Sequence, residues 1–112
     1  MRFVIPAVPP SNNQFIGRNM RWQYQDVKKR WAELIWLCCR PRPNEPLKGV
    51  TVHITYYFPD RRRRDPDNYS GKMILDGLTK SNIIADDSFD CITLKLSACV
   101  DKNNSRTEIV IE

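Results

Sequence analysis

The segment Gly49-Val50-Thr51-Val52-His53-Ile54-Thr55-Tyr56-Tyr57-Phe58 leaves the chain the least freedom. Val50, Val52, Ile54 and Tyr56 alternate with Thr51, His53, Thr55 and Tyr57, so an extended backbone turns one face apolar and the other more polar. Pro59 cannot donate to a ladder and closes the strand. His53 falls on the polar face with no neighbouring ligand, which reads as a surface or half-buried histidine. A strand of this kind needs partner strands beside it and an apolar layer over its Val52 face. The rest of the chain has to supply both.

Arg2-Phe3-Val4-Ile5 is a short strand stopped by Pro6. Cys91–Val100 and Arg106–Ile111 are two further strands, joined by the turn Asp101-Lys102-Asn103-Asn104-Ser105. From about Gln23 to Cys39 the period changes. Tyr24, Val27, Trp31, Leu34, Ile35 and Cys38 form one helical stripe, with Lys28, Lys29, Arg30 and Glu33 on the other face. Trp31 lies on the core stripe, whereas Trp36 falls off it and is open to a place at a dimer interface. Pro41, Pro43 and Pro46 end that helix. Met73, Ile74, Leu75 and Leu78 mark a second helix, its end softened by Gly77 and Ser81-Asn82, and Ile83-Ile84-Ala85 is a short extended piece. The order β-α-β-α-β-β predicts an α/β (α+β) fold, a small mixed sheet with helices packed on it, as one domain over residues 1–112.

Lys plus Arg number 18 against 13 Asp plus Glu, giving +5, and a basic domain of this size has nucleic acid as its leading partner. Cys38, Cys39, Cys91 and Cys99 contain no C-x-x-C pair and lie far from His53, so their spacing does not fit a zinc site. They read as reduced, mostly buried thiols of a cytoplasmic protein. No apolar run approaches the length of a membrane span, and the first residues do not resemble a signal peptide.

Chemistry concentrates between Pro59 and Asp87. Arg61, Arg62, Arg63 and Arg64 run into Asp65-Pro66-Asp67-Asn68, and the pair Asp86-Asp87 follows about twenty residues later. Asp before Pro before a helical pattern is a helix N-cap, with acids suited to the first turn, and that accounts for one or two of the carboxylates. The arginine run beside the acids reads as a phosphate clamp next to a divalent-metal site. Mg²⁺ takes oxygen ligands, commonly one or two carboxylates plus substrate phosphate and water. Asp65 and Asp67 are candidates from one side of such a site, and Asp86 or Asp87, brought back after the helix, from the other. Helical spacing places Asn68, Lys72 and Asp76 on one row. Lys72 then either stabilises charge developing on a phosphate or forms an ordinary surface pair with Asp76. The loop Pro9-Pro10-Ser11-Asn12-Asn13 is either a connection or a source of hydrogen bonds to phosphate, and Arg18, Asn19 and Arg21 extend its basic, polar character.

Together, Pro59 to Asn68, Leu75-Asp76-Gly77-Leu78-Thr79-Lys80, Asp86-Asp87 and Pro9-Pro10-Ser11-Asn12-Asn13 resemble the RusA-type Holliday junction resolvases. The resemblance implies a metal-dependent endonuclease of DNA recombination and repair. It would act as a homodimer with Mg²⁺ or Mn²⁺, making paired symmetric cuts in a four-way DNA junction. It further implies that Asp65, Asp67 and Asp87 bind metal, with Asp86 ranked below Asp87, and that Lys72 is catalytic. Arg61 to Arg64 match the family's basic run, and Asn68, Asn12 and Asn13 would join them on DNA. The interval from Asn68 to Lys72 is one residue longer than the family pattern. Two alternatives stand beside this reading: a non-catalytic nucleic-acid binding domain, and a metal nuclease for other branched DNA.

Overall fold

The strands and helices of the computed structural model run β1 (Arg2–Ile5), α1 (Arg21–Cys38), β2 (Val50–Phe58), α2 (Lys72–Lys80), β3 (Ile92–Val100) and β4 (Arg106–Ile111), with short 3-10 turns at Asn12–Phe15 and Pro66–Asn68. All residues except Arg18 are described, so that member of the basic stretch after the first loop lies outside the described residues. The order is the expected β-α-β-α-β-β. One sheet carries the strands as β1-β4-β2-β3. β2 runs antiparallel to β4 and parallel to β3, with Val50 opposite Ile92 and Phe58 opposite Val100. The parallel pair follows from the β2-α2-β3 connection, since two parallel strands need a long crossover.

The alternation in β2 is realised directly. Val52, Ile54, Tyr56 and Phe58 are buried, while Thr51, His53, Thr55 and Tyr57 are only half-buried. Phe3 and Ile5 of β1 and Ile109 and Ile111 of β4 join the same core. Against it α1 contributes Trp31 and Ile35, and α2 contributes Met73, Ile74, Leu75 and Leu78. The opposite sheet face carries a charge network in which Glu108 accepts from both Arg2 and Arg106, and Arg106 also reaches Asp101 at 2.8 Å. Hydrogen bonds from the two guanidinium groups, Arg2 first, hold the Glu108 carboxyl below its ordinary range. His53 shares a 2.7 Å hydrogen bond with Ser97 on this face.

Three details differ from the sequence-based expectation. Gly77 does not soften the end of α2; it lies mid-helix where α1 crosses, and a Cβ there would sit 2.7 Å from Ile35 Cγ1. Trp36 is exposed but engaged within the chain, with the Arg42 guanidinium 3.6 Å over its ring. The four cysteines are free thiols as expected, but only Cys39 is buried and Cys99 is exposed. No helix among the described residues is long and apolar enough to cross a membrane.

The close approach at Gly77 makes a direct prediction. Gly77→Ala should lower stability by about 1–3 kcal/mol through overpacking. Ile35→Ala, which removes the contacted Cγ1, should recover part of that loss in a double-mutant cycle read by urea unfolding. Strictly additive effects would show that the two positions do not meet.

Candidate nucleic-acid and metal site

The residues after β2 do not form one helix. Asp65 precedes a single 3-10 turn at Pro66–Asn68, and α2 begins only at Lys72. Gly71 separates them with φ +80°, a left-handed conformation that favours glycine. A Cβ at Gly71 would also approach Ile54 Cδ1 to 2.8 Å. Asn68 and Lys72 are therefore not successive members of one helical row, and the expected i, i+4 relation is corrected. The break falls in the interval that is one residue longer than the family pattern. Asn68 and Lys72 nonetheless both line a small cavity with Asn12, Pro9 and Pro10.

Asn12 ties the N-terminal loop to this turn. Its amide Nδ2 donates to the Asp67 carbonyl and to Ser70 Oγ, each at 3.2 Å. Its donors are spent within the chain, so its role here is to hold the acid-bearing turn. Ser11 caps the preceding 3-10 turn by accepting from the Asn13 backbone N–H at 3.3 Å. That leaves the exposed Asn13 facing a groove of about 320 Å³ shared with Ser11, Arg62, Arg63, Arg64, Asp65, Asn68 and Tyr69. The basic run, the N-terminal asparagine loop and one acid of the cluster thus meet on one concave surface.

The four arginines are not equivalent. Arg62 and Arg63 have side chains 83% and 90% exposed, whereas Arg64 is 17% exposed. Arg64 pairs with Asp60 at 2.8 Å, donates to the Asp60 and Arg62 carbonyls, and lies 4.2 Å over the Phe58 ring. A cation so placed is desolvated and compensated locally, which makes it a fastening for the loop. Asp60 is the other half of that fastening. The Arg62 backbone N–H and then the Arg64 side chain hold its carboxyl below the ordinary range. Arg61 is exposed.

The acids divide between two places. The expected N-cap bond from Asp65 is not made: its side chain makes no capping bond and Oδ1 accepts instead from Arg63 Nε at 3.2 Å. Asp67 is exposed in the first turn of the same 3-10 segment. Asp65 also lines a cavity against Leu96, Ser97 and Ala98. Asp87 lines a different cavity, with Leu75, Phe89, Ile92, Thr93 and Leu94, and Asp86 beside it is exposed. On β3 the first cavity is lined by Leu96 to Ala98 and the second by Ile92 to Leu94. Asp65 and Asp87 thus line different cavities. Among the described residues no group of three or more His, Cys, Asp or Glu side chains is close enough to hold a metal. Asp76, the other half of the alternative surface pair for Lys72, faces α1 instead and pairs with Lys28 at 3.3 Å.

Sequence reasoning missed Asp60, Asn12 as a clasp, and Tyr56. The Tyr56 hydroxyl is buried beneath Gly71 without a partner in the structure, and burial pushes its pKa upward. An Asp immediately before a basic run was the available signal for Asp60, since Asx side chains commonly accept from the backbone two residues on. No protein-family model matches the chain, and no curated protein matches it.

Asn12→Ala should cost about 1–2 kcal/mol and speed amide hydrogen exchange at Ser70, Gly71 and Lys72 without affecting the β2 core. Unaltered exchange there would mean that the clasp does not hold the turn.

Proposed function

We propose that this chain is a metal-dependent endonuclease that cuts four-way DNA junctions by paired phosphodiester hydrolysis, working in recombination and repair as a cytoplasmic homodimer. The observation that carries this reading is the groove in which exposed Arg62 and Arg63 meet Asn13, Asn68 and an acid of the Asp65-Pro66-Asp67 turn. Phosphate binding alone has no use for carboxylates at the same surface, where they repel the ligand. A carboxylate pair beside a cation pair is useful when a divalent metal bridges acid and phosphate.

The donor chemistry of this turn fits Mg²⁺, or Mn²⁺ in its place, because two carboxylates plus phosphate oxygen and water make an ordinary site for such an ion. Asp65 and Asp67 would hold it, and bound there it would supply polarisation of the phosphoryl oxygen and an activated water. Arg62 and Arg63 neutralise the phosphates on either side of the cut, and Asn13 and Asn68 donate to phosphate oxygens from the groove wall. Lys72 opens into the adjoining cavity beside Asn68, where its ammonium offsets charge gathering on the reacting phosphate. Arg64 keeps the arginine loop in shape. That Asp87 lines a different cavity from Asp65 is the observation that favours the second reading, a nucleic-acid binding domain that does not cut.

A synthetic four-way junction with Mg²⁺ decides between them. Paired nicks on opposing strands are expected, and binding without cleavage under any divalent metal would support the second reading. Asp67→Asn should abolish cutting while junction affinity is kept or raised, and normal cutting by that variant would remove the turn from the chemistry. Arg62→Ala with Arg63→Ala should flatten the dependence of log affinity on log salt by about 2. Arg64→Ala should instead lower the melting temperature.

A further inference from the structure

We infer that β3 is a self-association edge: two copies pair their β3 strands antiparallel about Leu96, joining two four-stranded sheets into one. β3 is hydrogen-bonded only to β2, over nine residues in unbroken register. Long flat edges are normally shortened, bulged, given a proline or covered, because their free N–H and C=O groups recruit other strands. β3 contains no proline, and its register with β2 contains no bulge.

The helix-side face of β3 is also only partly covered. Leu94 and Val100 are 37% and 46% exposed, although their β2 partners Val52 and Phe58 are 0% and 5% exposed. Phe89, just before the strand, is fully exposed and borders a cavity of about 550 Å³ with Leu75, Ile92 and Leu94. An apolar strip of this kind has little to offer a phosphate backbone.

The sequence of the edge fits a second copy of itself. With the two-fold axis at Leu96, Leu94 faces Ala98, Ile92 faces Val100, Lys95 faces Ser97 and Thr93 faces Cys99 across the pair. Two residues beyond each end, exposed Asp90 meets exposed Lys102 of the other copy, twice by symmetry. An axis at Lys95 would set two lysines opposite each other, and an axis at Ser97 would place Asp90 against Asn104. Of these three registers, which overlap most of the strand, only the one about Leu96 pairs opposite charges and opposes no like ones. The pairing gives the homodimer of the proposed function its surface and rests on that part of the reading, while the observations behind it stand apart from the nuclease chemistry.

The test uses the native thiol. Cys99 is exposed, and Thr93 of the same chain is six residues away, about 20 Å along the strand. T93C cannot therefore bridge within a chain, but in this register it lies opposite Cys99 of the other copy. Light scattering should give twice the chain mass for the unaltered protein, and mild oxidation of T93C should give a reductant-sensitive covalent dimer. L94K should be monomeric with an unchanged circular dichroism spectrum. D90K and K102D should each weaken the dimer about tenfold, and the two together should restore it. A monomer at tens of micromolar overturns the proposal, as does a dimer in which T93C does not cross-link and D90K has no effect. A monomer that still cuts junctions would sink the interface, and the homodimer with it, while sparing the metal-dependent cutting; a dimer that never cuts would do the reverse.

Discussion

Contact between Ile54 and the backbone at Gly71 sets the terms for both the core and the candidate site. Ile54 is wholly buried at the centre of β2, with strands on both sides and helices above. Its Cδ1 lies where a Cβ on residue 71 would have to go, so the chain crosses β2 there only as glycine. That crossing decides where α2 begins and how the acid-bearing turn stands over the sheet. Tyr69, just before it, completes a cluster with Tyr56 and Phe58 at ring separations of 5.0–5.9 Å. The site is therefore built on a hydrophobic floor, with charge only at its rim.

Charge at that rim is sorted by burial. Four adjacent arginines look identical in sequence, but the backbone turns one inward over Phe58 and the others toward water. The inward one needs an anion within reach, and Asp60 supplies it. Exposed cations such as Arg62 and Arg63 gain little from their nearby acids in water, so they remain exchangeable toward a stronger polyanion. A phosphate backbone is such a partner.

What was legible from sequence follows from how local each signal is. β2 and the stripe of α1 were legible because period 2 and period 3.6 are written into neighbouring residues, and their burial patterns agree with the reading. The break before α2 was not legible, since Asp65-Pro66 is a good helix start and the Gly71 conformation depends on Ile54, seventeen residues earlier. Gly77 was misread for a similar reason: its partner Ile35 belongs to another helix. The placing of Asp86 and Asp87 was lost in topology. A parallel crossover carries the chain back along the sheet, and Asp65 and Asp87, on either side of α2, come to line different cavities. The roles of Arg64 and Asn12 depend on partners that only the folded loop brings near.

The tripeptide Tyr69-Ser70-Gly71 has a mechanical consequence. It uncouples the acid turn from the rigid cylinder of α2, leaving the turn leashed by the amide of Asn12 and by Tyr69 in the aromatic floor. The compliance of the turn and the stability of the domain become separate quantities, the first set by a few polar contacts and the second by the buried face of β2. A ligand can then reshape the turn at little cost to the fold, and drift in the loops can retune the turn without disturbing the core.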